Sequence, residues 1–183
     1  DNDIAGTVAS PKASEPVLET DAVTGRKSNF SVLLNTEPEL YVVAIGTVDS
    51  PDEGEASFVF QNITFTPADW STPKFFYIQG INEFDRDGDK DFNITISFKS
   101  EDSIYDGKFN KTVAVQSVDN DIARINVDHR AVEISEPNTT DSFVVVLNAK
   151  PKAPVTVIYT PSRPDKFFTT PRKVYFIEER WNI

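Results

Sequence analysis

Apolar and polar residues alternate along most of this chain, and the alternation comes in short runs. In Asp91–Lys99 the apolar residues Phe92, Ile94, Ile96 and Phe98 fall on every second position, with Asn93, Thr95 and Ser97 between them. A period of two puts one set on a buried face and the other in solvent, the signature of a half-buried strand. Seven runs of this kind, or enriched in β-branched and aromatic residues, occupy the first two thirds of the chain. They are Ile4–Ser14 (interrupted by Pro11), Asn29–Leu34, Leu40–Val48, Ser57–Phe65, Lys74–Gln79, Asp91–Lys99 and Lys108–Val118. Four more follow: Ile122–Ser135, Ser142–Asn148, Pro154–Thr160 and Lys173–Ile177. No segment keeps a 3.6-residue apolar period over three turns, so no substantial helix is predicted. Pro51, Pro67, Pro73, Pro137 and Pro151 fall between runs, where a missing N–H costs least. Seven short strands in about 115 residues predict an all-β, immunoglobulin-like antiparallel β-sandwich. Phe30, Val32, Phe92, Ile94, Ile96, Phe98, Val113 and Val115 are expected in its core.

The pattern then repeats. Asp1–Ala5 returns as Asp119–Ala123, and Ser14-Glu15-Pro16 as Ser135-Glu136-Pro137. Phe30–Pro38 (FSVLLNTEP) returns as Phe143–Pro151 (FVVVLNAKP), and Phe65–Trp70 as Phe176–Trp181. Order is kept at a spacing of about 111 to 121 residues, which marks two copies of one domain-sized unit. Residues 1–121 form a complete repeat, with 1–3 as the end of a preceding one, and 122–183 form a truncated second repeat. The chain reads as a segment of a longer tandem array. Trp70 is expected to plug one end of the sandwich.

Composition narrows the function. The 183 residues carry a net charge of −11, no Cys, no Met and a single His. A repeat of this size can bury a core without disulfides. There is no basic stripe with interleaved aromatics, which argues against nucleic acid. No apolar run reaches the about 18 residues a membrane-spanning helix needs, so no membrane insertion is expected. One His, no Cys, no Gly-rich phosphate loop and no G-x-S-x-G element leave no catalytic constellation, and no enzyme is expected.

Five of the asparagines, Asn29, Asn62, Asn93, Asn110 and Asn138, stand in N-x-Ser/Thr sequons. Parity turns Asn93 and Asn110 away from the apolar face. An extracellular or cell-surface location is the expectation these sites support.

The acids are unevenly placed. If strands alternate direction, the first, third, fifth and seventh end at one pole. That pole receives Glu15 and Glu19, then Asp49, Asp52, Glu53 and Glu55, then Glu83, Asp85, Asp87, Asp89 and Asp91, then Asp119 and Asp121. The opposite pole has Glu37, Glu39, Asp69, Glu101, Asp102 and Asp106. So many carboxylates on one small surface repel unless a cation neutralises them. Oxygen ligands drawn from several loops suit Ca²⁺, which accepts about six to eight of them in irregular geometry. Zn²⁺ is not expected without Cys and with His129 alone. The Asp85–Asp91 run is not an EF-hand: counted from Asp85, Gly88 stands fourth rather than sixth, and Ile96 occupies the place of the terminal Glu. Glu15, Asp85, Asp87, Asp89, Asp119 and Asp121 are expected to converge on one calcium-sized cluster.

Taken together, the Ser-Glu pair after the first strand, FSVLLNTEP, FTPADW, the DRDGDKD loop and the terminal DND resemble the Calx-β repeat, the module of sodium–calcium exchangers, integrin β4 and large extracellular adhesion and filament proteins. The resemblance covers the whole chain. It implies Ca²⁺ held at one pole by Glu15, Asp49, Asp85, Asp87, Asp89, Asp119 and Asp121. Asn120 inside the terminal run departs from the all-acid pattern. The implied function is a calcium-binding extracellular repeat that helps form a stiff rod, stalk or filament. Its partners would be neighbouring repeats of the same chain and protein or glycan partners outside the cell. Two other readings stay open: a calcium-sensing regulatory module of the exchanger type, and a glycan- or protein-binding β-sandwich using the opposite pole, with Tyr105 and Trp70.

Overall fold

A computed structural model describes residues 5–9, 15–19, 26–49, 54–128, 131–136 and 139–182. Every regular element among them is a strand, and none is a helix. The chain divides into two compact units: Asp1–Glu83 with Asp87–Asn120, and Phe84–Arg86 with Asp121–Ile183.

The first unit holds β1 (Thr7–Ala9), β2 (Val17–Leu18), β3 (Ser28–Leu34), β4 (Val42–Asp49), β5 (Ala56–Phe58), β6 (Asn62–Phe65), β7 (Lys74–Gly80), β8 (Lys90–Ser100) and β9 (Lys111–Val118). They form a four-stranded sheet in the order β1-β3-β7-β5 and a five-stranded sheet in the order β2-β9-β8-β4-β6. Inward residues of both sheets enter a single core. Phe30, Val32, Leu34, Phe76 and Ile78 come from one, and Val42, Ala44, Phe92, Ile94, Ile96, Phe98, Val113 and Val115 from the other. The eight core residues expected from parity are all buried. Phe30 stacks on Phe76 at 5.3 Å between centroids, and Phe58 meets Phe76 edge-on at 5.5 Å. Each aromatic contact of this kind adds about 0.5–1.5 kcal/mol beyond the area it buries.

One expected strand is divided between the sheets. The run Ser57–Phe65 becomes β5, paired with β7, and β6, paired with β4. The parity explains the switch: Ala56 is buried on even numbering and Phe65 on odd, so the phase slips between them. Phe60, caught in the slip, is 72% exposed. The first run contributes β1 to the four-stranded sheet, and a strand not expected from the pattern, β2, follows it in the other sheet. β2 also departs from the antiparallel expectation, since it runs parallel to β9 with Val17 opposite Ser117 and Leu18 opposite Val118.

Away from the ends of β2 and β9, the β8–β9 connection folds back on the β3–β4 loop. Tyr105 is 1% exposed. Its hydroxyl donates to the Thr36 carbonyl at 2.7 Å and lies 2.7 Å from Thr36 Oγ1. Asp102, also buried, accepts hydrogen bonds from the Glu39 and Ile104 amides, both 2.9 Å. These side chains are structural closures of that end. Trp70 is half-buried against the core, and its carbonyl accepts the Leu34 amide at 3.3 Å.

The second unit holds β10 (Ile125–Val127), β11 (Val145–Leu147), β12 (Val155–Ile158) and β13 (Lys173–Phe176). It reproduces the first unit's registers. Ile125 faces Leu147 as Thr7 faces Leu34, and Val155 faces Phe176 as Val42 faces Phe65. The Asn148 amide donates to the Arg124 carbonyl at 3.0 Å, as Asn35 does to Gly6 at 2.9 Å. The turn before each Trp matches too, with Arg180 to Ile177 at 2.9 Å and Asp69 to Thr66 at 3.1 Å. The repeat is thus a repeat of hydrogen bonds as well as of letters. Among the described residues, β7, β8 and β9 have no counterparts in the second unit. Its core consists of Val145, Leu147, Phe176 and Trp181. Phe84 lies against Trp181 at 5.3 Å, and the Lys150 amide donates to the Phe84 carbonyl at 2.8 Å.

Candidate metal centre in the first unit

The site begins with a parity effect. Val17 points into the core and is fully buried, so two residues on Glu19 points the same way. It is 1% exposed, and the strand that would continue the burial ends at Leu18. Such a carboxylate is costly unless charges or donors surround it. What lets β2 sit so deep is Gly80 at the end of β7. A Cβ on Gly80 would lie 2.1 Å from the Leu18 carbonyl oxygen and 2.6 Å from its carbon. Any side chain there would push the end of β2, and Glu19 with it, out of place.

Past Gly80 the chain enters the β7–β8 connection. The Ile81 amide donates to the Glu55 carbonyl at 3.2 Å. Glu83 and Asp87 then approach Glu19: one carboxylate oxygen of each lies within 4.8 Å of the other two. A carboxylate oxygen of Asp119, one residue past β9, is also within 4.8 Å of one of Glu19. Backbone donors hold the surroundings. The Asn120 amide donates to Glu19 Oε2 at 3.4 Å, the Gly88 amide to Asp119 Oδ2 at 2.7 Å, and the Asp119 amide to Asp89 Oδ1 at 3.2 Å. Gly88 has φ +86°, a left-handed conformation that glycine adopts without strain. Lys90 Nζ lies 3.1 Å from Asp87 Oδ2, while Asp87 Oδ1 is buried with no hydrogen-bond partner among the described residues.

These donors fit a hard cation. Ca²⁺ bonds to oxygen at about 2.3–2.6 Å, so two of its ligand oxygens lie at most about 5 Å apart. The spacing of Glu19, Glu83 and Asp87 is of that size, and the buried, unpartnered Asp87 oxygen is a lone pair left over. Unit charges about 4 Å apart near a protein surface repel by roughly 4 kcal/mol, and Glu19, Glu83 and Asp87 make three such pairs beside one lysine.

Three of the other residues implied by the sequence, Glu15, Asp49 and Asp85, lie elsewhere. Glu15 is exposed and its carboxylate pairs with the Arg26 guanidinium. Asp49 faces Asn93 across β4–β8, and its carboxylate accepts the Thr95 hydroxyl. Asp85 belongs to the second unit, where Lys150 Nζ lies 3.5 Å from it and 2.8 Å from Glu178. Hydrogen bonding to Glu178, joined by the charge of Asp85, raises the Lys150 pKa, and Lys150 in turn lowers that of Glu178. Asp121 is half-buried and opens the second unit after Asn120. Of the sequons, Asn62, Asn93 and Asn110 are exposed and Asn29 is half-buried. Asn138 lies outside the described residues, as do Asp52, Glu53 and His129.

Glu19 and Glu83 were not singled out by the sequence reading as ligands. A signal for Glu19 was present: it is an acid on the inward parity of a strand end. No family model matches the chain, and no curated protein matches it.

Proposed function

We propose that the chain is built from Calx-β-like repeats of immunoglobulin-like topology, which bind calcium and form part of an extracellular rod, stalk or filament. The observation that carries this reading is Glu19, buried to 1% exposure with Glu83, Asp87 and Asp119 around it. Those four residues come from the end of β2, the β7–β8 connection and the end of β9. Calcium, when bound, supplies the positive charge that lets them stay together. The repeated registers support the tandem reading, because the same strand pairing occurs twice in one chain. The sequons support an extracellular setting. In a tandem array, a unit stiffened where its last strand ends resists bending where the chain leaves it.

The test is calorimetric titration of the full chain with calcium, together with melting in calcium and in chelator. Calcium at about 100 times its dissociation constant should stabilise the first unit by about 2.7 kcal/mol. Glu19→Gln and Asp87→Asn should abolish the response, and Glu19→Gln should melt higher than the parent in chelator because a repelling charge is gone. Asp85→Asn should respond as the parent does. A melting temperature indifferent to calcium in the parent chain would overturn the reading.

A further inference from the structure

The outer face of the four-stranded sheet carries an exposed aromatic pair. Along β7, Phe76 and Ile78 are buried while Phe75 and Tyr77 are 48% and 42% exposed. The β3–β7 register sets Ser31 opposite Phe75 and Asn29 opposite Tyr77. Asn29-Phe30-Ser31 is a sequon, and its middle residue, Phe30, is 2% exposed. Its two polar residues therefore share the face of the two rings. Directly opposed Cβ atoms lie about 4.5–5.5 Å apart and diagonal ones about 7–8 Å. One sugar ring attached to Asn29 spans both distances.

We infer that Asn29 carries an N-linked glycan whose first sugar lies across Tyr77 and Phe75. This rests on the extracellular reading above. In the transfer, the side-chain amide nitrogen of Asn29 bonds to the anomeric carbon of an oligosaccharide carried on a polyprenyl diphosphate. The carbon–oxygen bond to the diphosphate breaks, the polyprenyl diphosphate leaves with the electron pair, and the amide proton passes to a base. The acceptor is the unfolded chain during secretion, so half-burial of Asn29 in the finished sheet does not block it. Once the sheet forms, the C–H face of the sugar meets the negative faces of the two rings. It also takes part of an apolar surface out of water.

The other described sequons lack this setting. Asn62 faces Ile45, Asn93 faces Asp49 and Ala114, and Asn110 precedes β9. Asn29 alone among them has an aromatic residue as its cross-strand partner. The glycan there should act on stability as well as solubility.

The experiment is secretion of the full chain from mammalian cells, with peptide mapping of each sequon. Melting is then compared for the glycosylated chain, the same chain trimmed by endoglycosidase to one sugar per site, and Asn29→Gln. Asn29 should be occupied. Asn29→Gln should lower the melting temperature on the order of 2–4 °C, and the chain trimmed to one sugar should keep the gain. In Tyr77→Ala, or Phe75→Ser should that variant fail to fold, the same loss of the glycan should change the melting temperature little. A bare Asn29 beside occupied Asn62, Asn93 or Asn110 would overturn this inference and leave the extracellular reading standing. No sugar at any sequon would overturn both. An occupied Asn29 whose loss costs the same with and without the Tyr77 ring would overturn the contact between the sugar and the rings.

Discussion

The two units share their strand registers but differ in what those registers bury. In the first, β7, β8 and β9 extend β1–β3 and β4–β6 into two sheets, and seventeen of the described residues enter the buried core. In the second, β10–β11 and β12–β13 pair in the same way, and four do. Equivalent positions show the difference directly. Thr7 is 4% exposed and its counterpart Ile125 is 53% exposed. Val42 and Ala44 are fully buried, whereas Val155 and Val157 are half-buried. The lesson is that register is a local property, set by cross-strand pairs and the turn before each Trp. Burial is a property of the layer opposite, and most of the apolar free energy resides there.

Truncating the same residue in both units tests that lesson most strongly. Leu34→Ala should destabilise the first unit by about 2–5 kcal/mol, because its neighbours are fixed on all sides and the cavity cannot collapse. Leu147→Ala should cost the second unit clearly less, since its surroundings are less complete and free to relax. Chemical denaturation followed by hydrogen exchange, which resolves the two units, is the measurement. Equal losses would mean that the second unit is as well closed as the first.

Gly80→Ala probes the layer itself, with the next largest effect. The added methyl meets the Leu18 backbone rather than a movable side chain. Overpacking of this kind costs about 1–3 kcal/mol. Because Glu19 follows Leu18, the calcium response of the first unit should weaken in the same variant while the second unit's exchange rates stay as they were. A normal calcium response in a destabilised protein would separate the close approach of β2 from the metal centre.

The closing of the far end should show a smaller contrast. Tyr105→Phe removes the bonds to Thr36, each worth about 0.5–1.5 kcal/mol, and leaves the ring in place. The second unit has Ala149 where the first has Thr36 and, among the described residues, no counterpart of Tyr105, so the loss should appear in the first unit alone when urea midpoints are compared.

What could be read from the letters divides along the same line. Parity in Asp91–Lys99 identified the core of β8, because both faces of a central strand keep one phase over many residues. The repeat of FSVLLNTEP placed β3 and β11 in equivalent registers. Parity could not show by itself which sheet a strand joins. The phase slip near Phe60 was visible, but its meaning depends on β5 finding β7 and β6 finding β4. The acids show the same limit. Topology brought the ends of several strands to one pole, and Glu19, Glu83, Asp87 and Asp119 are there. Asp49 lies on the outer face, because its register with Asn93 assigns it to that side. The position of Glu15 depends on Arg26, and that of Asp85 on Lys150, partners distant in sequence.

The smallest effect expected is in the turns before the two tryptophans, which have the same backbone hydrogen bond and different charges. In the first unit Asp69 accepts the Thr66 amide at 2.7 Å and pairs with Lys74 at 2.7 Å. The second unit has Arg180 at that place, and its charge pair is Lys150 with Glu178 instead. Hydrogen bonding from Lys74, then from the Thr66 amide, lowers the Asp69 pKa. A carboxyl whose folded pKa is depressed adds stability that is present above its unfolded pKa, about 3.9 for Asp, and is lost as pH falls through the lower folded value. Glu178 behaves likewise against an unfolded value of about 4.3. Lys150 has the opposite sign: its raised folded pKa adds stability present below about 10.4 and lost as pH rises through the folded value. Asp69→Asn should therefore lower the melting temperature of the first unit slightly and by a constant amount from neutrality down to about pH 4, with the difference closing at still lower pH. Glu178→Gln should do the same in the second unit, and its difference should also close at high pH, where Lys150 loses its proton. Glu178 is exposed and Asp69 half-exposed, so about 0.5 M salt should shrink each difference by screening. A difference for Asp69→Asn that persists unchanged below its folded pKa would mean that the turn needs the aspartate's shape and not its charge.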